Sequence, residues 1–249
     1  MSGKRVLAGF HAVTARLRHA PATIEALYVD AARRDGRMQQ LLARAQAAGV
    51  GVTAADAARL QRLAGGAIHQ GVVALCREAA RASTLDDVLA AVDAGTLLLL
   101  LDGVTDPRNL GACLRTAEAA GVQAVIVPRD RSASLTPVVA AAAAGAAETL
   151  PLLAVTNLAR AMDEIRAAGV CIAGAAGDAQ RSLYELDLTG PLAWALGAEG
   201  TGLRRLTRDK CDWLARIPLR GQVESLNVSV AAGVCLFETL RQRAARGGA

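Results

Sequence analysis

Residues 97–116 read LLLLLDGVTDPRNLGACLRT, and this stretch decides the fold. The run Leu97–Leu101 is entirely apolar, which is typical of a strand buried on both faces of a parallel sheet. The next residues form a polar loop, in which Pro107 suits the turn before a helix that begins near Asn109. The pattern predicts a strand, a loop and a helix of an open α/β sheet, whose junctions of this kind build ligand sites.

The same alternation continues toward the C-terminus. Further strands are predicted at 122–127, 170–175, 192–196 and 215–218, and helices at 110–120, 137–144, 158–168 and 226–243. Ser225 suits the N-cap of the last helix, because its hydroxyl can accept a hydrogen bond from a backbone amide of the first turn. This order predicts a parallel sheet with helices on both faces.

Two further junctions combine glycines with polar residues. Residues 196–203 read LGAEGTGL, and residues 217–229 read IPLRGQVESLNVS. The glycine spacing G-x-x-G-x-G differs from the dinucleotide fingerprint G-x-G-x-x-G, and no acidic residue follows about twenty positions later. The spacing therefore argues against a nucleotide-linked oxidoreductase, whereas the unpaired amides at the start of a helix suit another polar ligand.

Short helical and strand signals in residues 1–77 predict a separate small α/β domain, joined by a polar linker at 78–95 to a second domain at 96–246. Residues 1–80 hold 11 Lys+Arg and 5 Asp+Glu, a net charge of +6, while residues 81–249 hold 17 and 18, a net charge of −1. Basic surfaces neutralise nucleic-acid phosphates. The charge alone fits an RNA-facing domain and ordinary surface arginine equally well.

Composition excludes several functions. Aromatic residues make up 2% of the chain, so stacking platforms cannot dominate RNA binding. All three histidines lie in the first 70 residues, which disfavours a zinc enzyme or a Ser-His-Asp hydrolase built on the later motifs and predicts no metal. Five widely spaced cysteines without a CxxC pair, and the lack of a signal peptide or a long apolar run, predict a cytoplasmic protein that does not enter a membrane.

Together the three motifs resemble those of the SPOUT-class RNA 2′-O-ribose methyltransferases, in the branch that includes the bacterial 23S rRNA guanosine methyltransferases. The segments Gly9–Val13 and Ile68–Ala74 resemble the L30e-like substrate-binding domain of these enzymes. The resemblance implies an α/β fold: a C-terminal SPOUT domain with a parallel sheet and a deep trefoil knot, preceded by the small L30e-like domain. It also implies a homodimer formed through the knotted domain.

The resemblance further implies which residues form the site. The implied catalytic residues are Asn109, Arg115, Glu199, Ser225 and Asn227, and the implied ligands of S-adenosyl-L-methionine are Gly197, Gly200, Ile217 and Leu226. Arg115 is the residue implied to activate the ribose 2′-hydroxyl. Because a guanidinium does not readily lose its proton, we expect it to hold a phosphate and stabilise the developing alkoxide.

Structural alternatives remain for three of these residues. Asn109 suits a helix N-cap, Arg115 suits an exposed helix face, and Glu199 suits an ion pair with Arg204 or Arg205.

The implied activity is 2′-O-methylation of a guanosine ribose in the peptidyl-transferase region of 23S rRNA. The alternatives are a tRNA ribose methyltransferase of the same fold and a non-catalytic RNA-binding or ribosome-assembly protein. Arg33, Arg34 and Arg37 cluster after a predicted strand, and we predict that they contact the RNA.

Overall fold

A computed structural model describes residues 4–77, 84–130 and 132–247 of the chain, and the backbone forms two compact units. The N-terminal unit comprises residues 1–82 with 134–149, and the C-terminal unit comprises 83–133 with 150–249. The domain limits 1–77, 78–95 and 96–246 stay a prediction, and residues 78–83 of the expected linker lie outside the described residues. The packing differs from that prediction at 134–149, which joins the N-terminal unit.

The N-terminal unit is built on a four-stranded sheet of order β1-β4-β2-β3. Strand β4 is antiparallel to β1 and β2, while β2 and β3 are parallel. Its elements are β1 (Lys4–Ala8), α1 (Phe10–His19), β2 (Ile24–Asp30), α2 (Gly36–Ala47), β3 (Val52–Ala55), α3 (Ala57–Ala64) and β4 (Val72–Arg77). The sequence did not predict β1, because KRVLA is too short and too polar at its start to indicate a strand without its partner β4.

The remaining elements are α4 (Leu85–Ala90), β5 (Leu97–Asp102), α5 (Pro107–Ala119), β6 (Ala124–Pro128), α6 (Pro137–Ala142), β7 (Leu152–Val155), α7 (Leu158–Ala167), β8 (Cys171–Ala175), β9 (Arg181–Ser182), β10 (Leu192–Gly197), α8 (Arg205–Asp209), β11 (Trp213–Arg216) and α9 (Val228–Ala245). The seven strands β5 to β11 form one parallel sheet of order β7-β6-β5-β10-β8-β11-β9. The predicted α/β fold with a parallel sheet after a small α/β domain is confirmed.

Two helices lie in a different context from the one that their sequence suggested. Helix α6 packs on β1, and Ala140 joins the core of the N-terminal unit. Helix α4 occupies the predicted linker, where Thr84 and Asp87 form a capping box and Leu85 packs against the C-terminal core. Strands β7 and β9 were not predicted. None of the helices in the described ranges is long and apolar enough to cross a membrane.

Strand β5 is the third of the seven strands across the larger sheet and is buried along its whole length. Beside it, the fully buried Trp194 of β10 donates an indole hydrogen bond to Thr239 Oγ1 of α9 at 2.9 Å. This hydrogen bond satisfies the only polar atom of the indole and fixes α9 against the sheet.

The strand order reverses between β5 and β10, so the loops that follow neighbouring strands diverge there. In open parallel sheets, this reversal leaves a crevice at the carboxyl ends of the strands, where ligands bind. The three sequence motifs follow β5, β10 and β11 at this edge.

Candidate active site

A cavity of 590 Å³ lies at the carboxyl ends of β8, β10 and β11, within the C-terminal unit. We call it the sheet-end cavity. Its lining includes the residues just after those strands, the glycine loop and the start of α9: 175–178, 196–203, Arg208, Ile217, Leu219, 224–226, Val228 and Ala231. The four implied cofactor ligands, Gly197, Gly200, Ile217 and Leu226, all line it.

The glycine loop after β10 is folded tightly on itself. The Gly202 amide donates to the Ala198 carbonyl at 2.9 Å, and Gly200 and Gly202 have φ angles of 78° and 65°, a region that favours glycine. A Cβ on Gly197 would lie only 1.9 Å from the Gly202 carbonyl carbon. Because backbone rather than a flexible side chain occupies that space, no larger residue fits at position 197.

Asn227 joins the ends of the three motifs through its side-chain amide. Its Nδ2 donates to Asn109 Oδ1 at 2.9 Å and to Glu199 Oε1 at 2.6 Å. Its Oδ1 accepts from the Ser229 amide at 2.9 Å and from the Ser229 hydroxyl at 2.6 Å. All four hydrogen-bonding positions of the amide are therefore used, which fixes both its orientation and the positions of Asn109 and Glu199.

The first residues of α5 and α9 correct two expectations about helix caps. Helix α9 begins at Val228 and its N-cap is Asn227, so the prediction that Ser225 caps a helix from 226 is wrong. Helix α5 begins at Pro107 and is capped by Asp106, so Asn109 lies inside the first turn rather than at the cap. Ser225 remains exposed and lines the sheet-end cavity.

A second set of hydrogen bonds ties the glycine loop to β5. The buried Asp102 carboxylate accepts from the Arg204 amide at 3.1 Å and from Arg204 Nε at 2.6 Å. Arg205 Nε instead lies 3.8 Å from Asp209 Oδ2. The alternative that Glu199 pairs with Arg204 or Arg205 is therefore excluded, and Glu199 is left to face Asn227.

Arg115 stands apart from this network. It lies six residues after Asn109 on α5, which places it roughly 9 Å further along the helix axis and about 120° around it. The side chain is exposed, and in the described parts of the chain its guanidinium makes no hydrogen bond or ion pair. Within one chain, Arg115 is available to a partner that is not part of the fold.

Sequence reasoning missed one ion pair in the sheet-end cavity. Arg208 Nη1 donates to Asp178 Oδ1 at 2.8 Å, and both residues line the cavity. This hydrogen bond from Arg208 lowers the pKa of the Asp178 carboxyl, which keeps it charged. The position of Asp178 just after β8 was the available signal, since polar residues at that edge of a parallel sheet face the ligand crevice.

The three arginines predicted to contact RNA lie in different surroundings. Arg33 is half-buried, with its guanidinium 4.7 Å from the centre of the Phe10 ring and bonded to Asp35 and to the Gln70 carbonyl. Arg34 and Arg37 are exposed. Whether the three residues contact RNA stays a prediction.

The described residues contain no group of three or more His, Cys, Asp or Glu side chains placed to hold a metal ion. The functional groups at the site are the amides of Asn109 and Asn227, the carboxylates of Glu199 and Asp178, the hydroxyl of Ser225 and the guanidinium of Arg208.

The chain belongs to the SpoU rRNA Methylase family, which it matches over residues 96–237, and residues 6–82 match the RNA 2'-O ribose methyltransferase substrate binding family. The predicted membership of this group of enzymes is confirmed. The chain is 56% identical to the 23S rRNA (guanosine-2'-O-)-methyltransferase RlmB of Bordetella pertussis, over 98% of this chain and 99% of the relative. The RlmB of Ralstonia nicotianae is 55% identical over 98% of both chains.

Solved structures of similar proteins include the SpoU methyltransferase AviRb from Streptomyces viridochromogenes in complex with AdoMet. That structure is 26% identical, covers 98% of this chain and 92% of its own, and has a TM-score of 0.81. The A. aeolicus TrmH/SpoU tRNA modifying enzyme is 27% identical, covers only 66% of this chain and 82% of its own, and has a TM-score of 0.56.

Proposed function

We propose that this protein transfers the methyl group of S-adenosylmethionine to the ribose 2′-hydroxyl of a guanosine in 23S rRNA. The observation that carries the proposal is the convergence of Asn109, Glu199 and Asn227 beside the sheet-end cavity, within the segment that matches the methylase family. Relatives with this activity in their names align over nearly the whole chain, including its N-terminal unit.

The sheet-end cavity fits the cofactor. Its volume of 590 Å³ suits a nucleoside-sized ligand, and its lining combines apolar side chains with the backbone of a glycine loop. The main-chain groups of Ile217 and Leu226 would hold the adenine of the cofactor, and Gly197 and Gly200 would allow the loop to approach the rest of the molecule closely. S-adenosylmethionine, when bound, supplies a methyl group activated on a sulfonium.

The surrounding side chains orient the acceptor. Asn227 holds Asn109 and Glu199 in one geometry, which costs no reorganisation when the ribose binds. Ser225 lies at the cavity with an exposed hydroxyl. Arg115 holds a phosphate beside the target ribose and stabilises the alkoxide that develops on its 2′-oxygen.

We also propose that the protein forms a homodimer. Val230 and Phe237 are about half exposed on α9 and, seven residues apart, share one face of the helix. A second copy of this surface would cover that face. Phe237→Glu is expected to give monomers in sedimentation analysis, and an unchanged dimer would exclude this interface.

The test is transfer of labelled methyl groups to undermethylated 23S rRNA, to precursor 50S particles and to bulk tRNA, followed by mapping of the modified ribose. Incorporation at one 23S guanosine, in free RNA or in the particle, and its loss in Arg115→Ala is the expected result. Incorporation only into tRNA would overturn the substrate. Absence of incorporation into all three, in a protein that binds the cofactor, would overturn the activity. A cytoplasmic location follows from this substrate.

A further inference from the structure

Helices α1 and α2 enclose a cleft of 280 Å³ in the N-terminal unit. Residues 10, 11, 14, 15 and 18 of α1 and residues 37, 40, 41 and 44 of α2 line it, together with Ala144. Each set repeats every three or four residues, so it occupies one face of its helix. We call this feature the α1/α2 cleft.

The α1/α2 cleft carries positive charge without compensation. Arg18, Arg37 and Arg44 line it with exposed side chains, and none of them forms an ion pair in the described residues. Neither α1 nor α2 contains an acidic residue between its first and last residue. Arg18, Arg37 and Arg44 therefore place three uncompensated positive charges around one cleft, which favours an anionic ligand.

The floor of the cleft gives it a fixed shape. Phe10 and Leu41 are buried there, and the Arg37 guanidinium lies 6.0 Å from the centre of the Phe10 ring. Thr14 and Gln40 add neutral hydrogen-bonding groups between the arginines. The cations are therefore presented from two packed helices rather than from a loose tail.

Arg33 is already engaged in contacts within the fold. Its guanidinium stacks on Phe10 and bonds to Asp35 and the Gln70 carbonyl, so its donors already serve the fold. Of the arginines after β2, Arg37 points its charge at the cleft, and its neighbours there come from α1 and the end of α2.

We propose that the α1/α2 cleft binds the phosphate backbone of the substrate RNA, with Arg18, Arg37 and Arg44 contacting neighbouring phosphates. This inference rests on the proposed function, because it names where the RNA of that reaction is held. Arginine presents a fork of donors that matches phosphate oxygens. Contacts to phosphate oxygens carry no information about the base sequence. The binding is therefore independent of RNA sequence.

The experiment compares RNA binding by the whole protein and by the double variant Arg18→Gln/Arg44→Gln, using unmodified 23S rRNA transcript between about 50 and 200 mM KCl. Both side chains are exposed, so the unfolding midpoint is expected to be unchanged. Binding is expected to weaken about tenfold, and the slope of log affinity against log salt to fall by roughly 0.7–0.9 for each phosphate that the variant no longer neutralises.

A matched control removes the same charge elsewhere in the N-terminal unit. Arg59→Gln/Arg62→Gln, on α3, should keep the affinity and the salt slope of the unaltered protein, while Arg18→Lys/Arg44→Lys should keep most of both because the charges remain. Equal loss in the α3 control, or a lysine variant as weak as the glutamine variant, would overturn the assignment to this cleft.

The outcomes separate this inference from the proposed function. If the unaltered protein methylates 23S rRNA and the glutamine variant binds and methylates RNA equally well, the cleft inference is wrong and the function stands. If the unaltered protein neither binds nor methylates RNA, the proposed function itself fails. Cofactor affinity, measured by calorimetry, is expected to be identical in all variants.

Discussion

The sheet-end cavity and the α1/α2 cleft are built in opposite ways. At the cavity, backbone lies against backbone: the glycine loop leaves no room for a Cβ at Gly197, and Asn227 uses every hydrogen-bonding position it has. At the cleft, long side chains point outward with their charges unpaired. The first arrangement requires defined residues at defined positions, whereas the second needs only enough positive charge on two helix faces.

This difference explains why one site has a sequence motif and the other has none. Only glycine allows the close backbone approach of the loop, and only asparagine supplies the donors and the acceptor that the amide at the start of α9 uses. Both features therefore appear in the sequence as particular residues at particular positions. Arg18 and Arg44 are 26 positions apart and lie in two helices, where an arginine is usually just solvated surface. Only the packing of α1 against α2 shows that they face the same space.

The largest effect is expected for Gly197→Ala, which would place a methyl group 1.9 Å from a backbone carbon. The loop must move, and we expect S-adenosylmethionine affinity to fall by roughly 100-fold, since overpacking costs about 1–3 kcal/mol or more. Calorimetric titration measures this. Gly221→Ala is the matched control, because nothing lies within 4 Å of a Cβ at that position. RNA binding by the α1/α2 cleft should persist in both variants, and its loss in Gly197→Ala would show that the two sites are not independent.

Asn227 is the next most sensitive position, because it caps α9 and also holds Asn109 and Glu199. Asn227→Ala is expected to lower kcat about 100-fold and to destabilise the protein by about 1 kcal/mol through loss of the cap. Asn227→Asp keeps the accepting oxygen but not the donating amide. The variant keeps the helix cap but sets a second carboxylate against that of Glu199, so it should lose activity and also some stability through like-charge repulsion, as measured by turnover and denaturant unfolding. Normal turnover in Asn227→Asp would show that the donated hydrogen bonds are not needed.

Alkaline pH should destabilise the protein through a buried thiol of α9, while the charge of the α1/α2 cleft should not change. Burial raises the pKa of the Cys235 thiol to about 12, from an ordinary value of 9.0, so the unfolded chain ionises first. The stability that comes from burying the neutral thiol is fully present below pH 9. It declines between pH 9 and about 12, by up to about 1.4 kcal/mol per pH unit for each such thiol. Arginines of the cleft remain charged over this range.

Denaturant unfolding at pH 8, 9 and 10 tests this expectation, with Cys235→Ala losing stability less steeply than the unaltered protein. Identical slopes in the two proteins would show that this thiol does not contribute. Burial and the negative charge of Glu199 also raise the pKa of Cys113 to about 12, so a slope remains in the variant.

The smallest effect is expected for Arg33→Gln, which removes the interactions with Asp35, Gln70 and Phe10. The side chains of Arg33 and Asp35 are partly exposed, so the loss of stability should stay near or below about 1 kcal/mol. RNA affinity should change less than in Arg37→Gln, whose charge lines the cleft. Filter binding and thermal unfolding of both variants measure the difference. A greater loss of RNA affinity in Arg33→Gln than in Arg37→Gln would contradict this expectation and support Arg33 as an RNA-binding residue.

Some expectations failed where the sequence offered two equally good local solutions. Ser225 and Asn227 are both good helix caps, and the choice of Asn227 depends on Asn109 and Glu199, which come from distant parts of the chain. The helix at 137–142 has no local signal that assigns it to either unit, and its packing on β1 decides the matter.

By itself, the sequence determined the parallel α/β sheet and the positions of the three motifs. Apolar runs such as Leu97–Leu101, and glycines that allow positive φ or close backbone approach, are local constraints that survive in any single chain. The tertiary structure decided which distant residues come together. Asp102 bonds to Arg204, Asn227 bonds to Asn109 and Glu199, and the arginines of α1 and α2 line the same cleft. Such pairings join residues up to 118 positions apart, and only the folded backbone fixes the distance between them.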